Sequence, residues 1–140
     1  MILLDTHIWI WWLLGASALP SRERQALDRL AERSRLAIAA VSLWEAQMLH
    51  SKRRLTLDRP FATWIEEAAD VVTVLPLDVT IVAALAELPA RVHGDPADRM
   101  IMATARAHQV PVATHDRPIR QSRVVRVWRP GMRASKRAPR

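Results

Sequence analysis

His93-Gly94-Asp95-Pro96-Ala97-Asp98-Arg99-Met100-Ile101-Met102-Ala103-Thr104-Ala105-Arg106-Ala107 is the stretch on which the fold turns. Asp95 before Pro96 reads as an N-cap with proline at the first helical position, where its missing N–H costs nothing. Asp98 then falls on the third helical position, where the helix dipole favours an acid. The predicted helix runs from Pro96 to about His108. An apolar strand, Val110 to Ala113, comes next, then Thr114-His115-Asp116 and a turn through Pro118.

The same alternation recurs on the N-terminal side. Met1 to Leu4 is a short continuous apolar run, as expected of a strand buried on both faces. Asp5 ends it, Thr6 is placed to cap a helix, and His7 to Leu14 reads as that buried helix, which Gly15 breaks. Ser21 is the predicted N-cap of a helix from Arg22 to about Arg33, with Ala26, Leu27, Leu30 and Ala31 on one face. Leu36 to Ser42 is the second strand. Ser42-Leu43-Trp44-Glu45 has the form of a capping box, opening a helix to about His50. Phe61 to Ala69 and Asp78 to Leu88 are further helices, Val71 to Leu75 is a third strand, and Val124 to Trp128 a fifth, edge strand. Strands alternating with helices predict an α/β fold, a parallel sheet covered by helices on both faces.

The totals fit one domain. The chain has 140 residues, half of them hydrophobic, with six Trp and no Cys. That length buries a core without staples, and the absence of Cys excludes disulfides and thiolate zinc sites. No apolar run reaches the roughly eighteen residues of a membrane span. Asp5 and His7 interrupt the one stretch resembling a signal sequence, and no basic segment precedes it. A cytoplasmic location and no membrane partner are expected. The net charge of +7 is concentrated from Thr114 onward, where nine basic residues face Asp116 alone. Residues 1–130 read as the domain and 131–140 as a basic, flexible tail, either solvated or a handle for nucleic acid or an acidic partner.

In a parallel sheet all strand C-termini share one edge, where ligand sites of open α/β sheets lie. Asp5 follows the first strand, Glu45 opens the helix after the second, and Asp116 follows the strand from Val110. Asp98 sits in the first turn of the helix leading into that strand. Clustered carboxylates either share protons or bind a cation. Oxygen ligands suit Mg²⁺ or Mn²⁺, and metal-assisted phosphodiester hydrolysis is the matching chemistry. Each acid also has a purely local role open to it: Asp5 as a strand end, Glu45 as the partner of Ser42, Asp95 and Asp98 as helix-start acids, Asp116 as the first residue of a turn. The five histidines form no i, i+4 metal pair and read as surface or cap residues, with His93 and His115 as alternative substrate contacts. Trp9, Trp11 and Trp12 read as core.

MILLDTHIWIWW at the start, SLWEAQM from Ser42, DPADRMIMATA from Asp95 and VATHD ending at Asp116 together resemble the PIN-domain nucleases, specifically the VapC-type toxins of bacterial toxin–antitoxin pairs. The resemblance spans nearly the whole chain. It implies a PIN-like three-layer α/β/α fold with strand order 3-2-1-4-5. It implies Mg²⁺- or Mn²⁺-dependent cleavage of RNA, a cognate antitoxin and a homodimer. It gives Asp5, Glu45, Asp98 and Asp116 as the catalytic, metal-binding acids, Asp95 as an additional ligand, and Thr6 and Thr114 as supporting hydroxyls; Arg99 is left to contact phosphate or to pair with an acid, and Arg117 is a further candidate for RNA phosphate. A PIN-type nuclease of RNA processing, or one acting on DNA, is the alternative.

Overall fold

The computed structural model describes residues 1–92 and 94–132. Its elements run in the order β1 (Ile2–Leu4), α1 (Thr6–Leu14), α2 (Ser21–Glu32), β2 (Leu36–Ala39), α3 (Val41–Ser51), α4 (Phe61–Asp70), β3 (Thr73–Leu75), α5 (Val79–Ala86), α6 (Pro96–His108), β4 (Val112–Ala113) and α7 (Arg117–Gln121). The four strands form one sheet in the order β3-β2-β1-β4. Every pairing is parallel: Leu3 stands opposite Ala37 on one side and Val112 on the other, and Ile38 opposite Val74.

Side chains alternate across the sheet with period two, and this sorts the core into layers. Ile2, Leu4, Leu36, Ile38 and Ala113 pack with Ile8, Trp9, Leu27 and Trp64, which brings α1, α2 and α4 onto one face. Leu3, Ala37, Ala39 and Val112 point the other way, onto Ile101 and Ala105 of α6. Ile81 and Leu88 then pack against Met102 and Ala103 of α6, so α5 lies outside it. β1 and β2 are buried throughout, and their continuous apolar runs have that cause.

The three-layer parallel fold is as expected, with one correction: Val124–Trp128 is not a fifth strand. It makes a single parallel bridge, Val127 to Val112, with Val112 N donating to Arg126 O and Trp128 N to Val112 O, both at 2.8 Å. The neighbouring strand is too short for more. Pro111 has no N–H to give a ladder, and Val110 N is turned back to Ala105 O at the end of α6. So β4 starts two residues later than expected and offers one bridging position.

Helix starts hold further corrections. Asp5, not Thr6, caps α1, its Oδ1 accepting from Thr6 N at 2.8 Å. Ser21 is the first residue of α2, after Pro20, and makes no cap bond. The turn through Pro118 is a short helix, α7, capped by Asp116. Gly15 ends α1 as predicted: its φ of 65° is the left-handed conformation, and its N–H reaches Trp11 O. Of the basic C-terminal tail, only Gly131 and Met132 fall within the described residues, and His93 lies outside them. No described helix is long and apolar enough to cross a membrane.

Candidate active site

The C-terminal edge of the sheet collects the predicted acids. Asp5 leaves the end of β1, and a dense set of donors meets its buried carboxylate. Oδ1 accepts from Thr6 N, Oδ2 accepts from Thr114 Oγ1 at 2.6 Å, and His7 Nδ1 stands 3.2 Å from Oδ2. Thr114 Oγ1 also accepts from Asp116 N at 2.9 Å, which ties the loop after β4 to the end of β1. Asp116 spends one oxygen on its cap, accepting from Ile119 N at 3.0 Å.

The start of α3 departs from the capping-box expectation. Ala40 occupies the cap position in helical conformation, with no side-chain bond, and Ser42 lies inside the helix. Ser42 Oγ instead meets Thr6 Oγ1 at 2.8 Å, and the Thr6 hydroxyl donates to Glu45 Oε1. Thr6 has one hydroxyl proton, so with that proton on Glu45 it is Ser42 that donates to Thr6. Glu45 is thereby turned toward β1 and its acids, away from its own helix start.

At α6 the local reading holds. Asp95 Oδ1 accepts from Ala97 N at 2.7 Å and Asp98 N at 3.4 Å, with Pro96 at the first helical position. Asp95 is exposed and acts as the cap, while Asp98, half-buried, has no described hydrogen bond that occupies its carboxylate. Arg99 Nη1 donates to Val92 O at 2.6 Å and pins the preceding loop, and Arg117 is exposed at the start of α7.

The electrostatics are those of crowded acids. Burial, then the charges of Asp5, Asp116, Asp95 and Glu45, push the Asp98 carboxyl up to about 7. Burial also raises Asp5, against the pull of His7, the Thr114 hydroxyl and the Thr6 amide, with Asp116 adding to the rise. Glu45 is raised by burial first, opposed by the Thr6 hydrogen bond and reinforced by Asp5 and Asp95. Such a group of carboxylates holds protons unless a cation replaces them.

Among the described residues no three His, Asp or Glu side chains stand together as a ready-made ligand cage. The donor set nonetheless fits a hard divalent cation. It is all oxygen, its acids share one field, and Mg²⁺ keeps several waters and uses only one or two carboxylates.

Sequence reasoning missed a cluster beside Asp5. His7 and His115 are half-buried, not surface residues. His115 N donates to His7 Nε2 at 3.1 Å, and His115 Nε2 meets Glu23 Oε2 at 2.7 Å. Trp11 stands edge-to-face to both imidazoles, with centroids at 4.9 and 5.7 Å. Burial lowers the pKa of His7, against the pull of Asp5. The position of His7 two residues after Asp5 was visible in the chain, but its partner 108 residues away was not.

An open parallel α/β fold with acids gathered on its C-terminal edge defines a class of site suited to cation-assisted phosphate chemistry. The PIN domain family model matches residues 2–124. The ribonuclease VapC22 of Mycobacterium tuberculosis is 36% identical over 130 residues, covering 91% of this chain and 98% of the relative. FitAcB from Neisseria gonorrhoeae superposes with a TM-score of 0.69 at 25% identity, covering 93% of this chain and 98% of that one. A DNA-bound VapBC from Salmonella typhimurium gives a TM-score of 0.72 over 91% of this chain and 96% of its own, and at 19% identity it speaks for the fold alone. The chain belongs to the PIN domain family.

Proposed function

We propose that this protein is a Mg²⁺- or Mn²⁺-dependent endoribonuclease that acts as the toxin of a toxin–antitoxin pair. The observation that carries the reading is the gathering of Asp5, Glu45, Asp98 and Asp116 about one sheet edge, where burial first and then the neighbouring acids push the Asp98 carboxyl up to about 7. The 36% identity to a VapC ribonuclease along nearly its full length supports RNA as substrate. The antitoxin partner rests on the motifs shared with VapC-type toxins, to which the VapBC structure adds likeness of fold alone.

Asp5 and Asp98 would be the principal ligands, with Glu45 and Asp116 binding directly or through water and Asp95 secondary because it caps α6. The chemistry such an ion supplies is a more acidic water and a counter-charge for the phosphate oxygens. Thr6 and Ser42 hold Glu45 in place, where its carboxylate would accept a proton from the attacking water. Thr114 keeps Asp5 and the Asp116 loop in register. Arg117 and the basic C-terminal residues would grip phosphates, with affinity falling as salt rises.

A homodimer is part of the same reading. Trp44 and Leu77, 56% and 49% exposed, line an apolar recess with Val41, Pro96 and Met100. That much exposed apolar surface marks an association face.

The test is cleavage of a mixed-sequence RNA by the purified protein with Mg²⁺ or Mn²⁺, and with excess EDTA. Wild type should cut at defined positions only with the cation, and Asp5→Asn should not cut. Undiminished cutting in EDTA would remove the metal from the reading, and cutting by Asp5→Asn would remove the site.

A further inference from the structure

We propose that His7 is a positioning residue that clasps two metal-ligand segments at once, setting Asp5 through one ring nitrogen and the Asp116 loop through the other. The inference rests on the metal-site reading above. His7 Nε2 takes a hydrogen bond from the backbone N–H of His115, and an amide nitrogen can only donate. That nitrogen therefore carries no proton. A neutral imidazole has one N–H, so it lies on Nδ1, the nitrogen 3.2 Å from Asp5 Oδ2. The backbone thus fixes the tautomer that presents a positive edge to the carboxylate.

The other side of the clasp acts on the loop. His115 immediately precedes Asp116, so holding its amide sets where the Asp116 backbone begins. Thr114, on the other side of His115, already donates to Asp5 Oδ2 and accepts from Asp116 N. His7 closes this into a ring: Asp5, Thr114, the His115 amide, His7 and back to Asp5. Glu23 and Trp11 hold the remaining sides. Glu23 of α2 meets the His115 imidazole, and Trp11 of α1 packs edge-on to both rings. Asp5 Oδ2 is then occupied by Thr114 and faced by His7, and Oδ1 accepts from Thr6 N. The carboxylate has little freedom left to rotate, which is how groups behind a ligand tune an ion site.

Three substitutions separate the ring's nitrogens from its bulk. His7→Leu keeps apolar volume against Trp11 and removes both nitrogens. His7→Asn keeps a donor near the Nδ1 position, and His7→Gln keeps an acceptor near that of Nε2. Mn²⁺ affinity is measured by calorimetry on the full chain, alongside thermal melting and kcat and KM for RNA. His7→Leu should bind Mn²⁺ roughly 10- to 100-fold more weakly, the range for groups that orient metal ligands. It should lower kcat and leave the KM for RNA near wild type, and at least one amide variant should recover part of the loss. Wild-type Mn²⁺ affinity in His7→Leu would overturn the clasp, as would three folded variants impaired equally. If His7→Leu does not fold, the amides decide: weaker Mn²⁺ binding in either supports the clasp, and wild-type binding in both overturns it. A wild type that binds Mn²⁺ but cuts no RNA would count against the nuclease reading alone, with the calorimetry still deciding the clasp. A wild type that binds no Mn²⁺ would overturn both the metal site and the clasp.

Discussion

At the start of α6, Asp95 caps the helix and Asp98 makes no cap bond; at the start of α3, no side chain caps, and Ser42 and Glu45 both turn to Thr6. Both sequences carry good capping residues, so local preference alone predicts the same outcome twice. The difference lies in what each start faces. α6 is entered from a loop, with its cap exposed to water. α3 leaves β2 directly, next to the end of β1, and Ser42 is wholly buried there. A buried hydroxyl needs a partner, and Thr6 across the sheet edge provides one. A tertiary contact has replaced a local one, and the replacement frees Glu45 to join the acids.

The largest break is at α6. Asp98→Asn should keep the helix, because Asp95 holds the cap, yet lower RNA cleavage on the order of 100-fold or more, as when one electrostatic group leaves a reacting centre. Near wild-type rates in a multiple-turnover assay would remove Asp98 from the site.

The same residue gives a pH signature. Its pKa is raised from an ordinary 3.8 to about 7, so the folded state binds this proton more tightly than the unfolded chain does. That stabilisation is complete below the unfolded value and is lost as pH rises through the folded one. In chelator, melting temperature should fall between about pH 4 and 7 more steeply for wild type than for Asp98→Asn. Mn²⁺ should restore wild type at pH 8. Parallel curves for the two proteins would contradict the crowded-acid account.

At α3 the break is structural. Thr6→Val leaves Ser42 and Glu45 without their partner and should cost about 1–3 kcal/mol by denaturant titration. A Thr6→Val, Ser42→Ala cycle should show coupling of at least about 0.5 kcal/mol, since the two side chains touch. Additive losses would instead mean that Ser42 serves its own helix.

The smallest effect sharpens the cap at α6. Asp95→Ala should cost roughly 0.5–2 kcal/mol, with Asp95→Ser recovering most of it. Cleavage should change only a few-fold in both. A loss matching that of Asp98→Asn would move Asp95 from cap to ligand.

Much of this was legible because it is written in short-range pattern. The apolar runs at β1 and β2, the helical spacing of α2 and α4, and the Asp95-Pro96 start of α6 all come from local periodicity and backbone chemistry. The edge position of Asp5, Glu45 and Asp116 came one step later, from strands running parallel. Val124–Trp128 misled because strand length depends on the neighbour: β4 has two residues and offers one bridge. Ser42 misled because a capping residue and a buried hydrogen-bonding residue are written with the same letter.

The sequence by itself determined the alternating fold, the family, and the placing of Asp5, Glu45 and Asp116 at one edge, with Asp98 added by the family resemblance. Apolar period and chain order are local quantities, and a parallel sheet converts them into position. Only the tertiary structure decided how those acids are held. Thr6 reaches Glu45 39 residues on, Thr114 reaches back 109 residues to Asp5, and His7 takes the amide of His115. Contacts between residues so far apart leave no periodic trace, because they exist only once burial has removed water as the alternative partner.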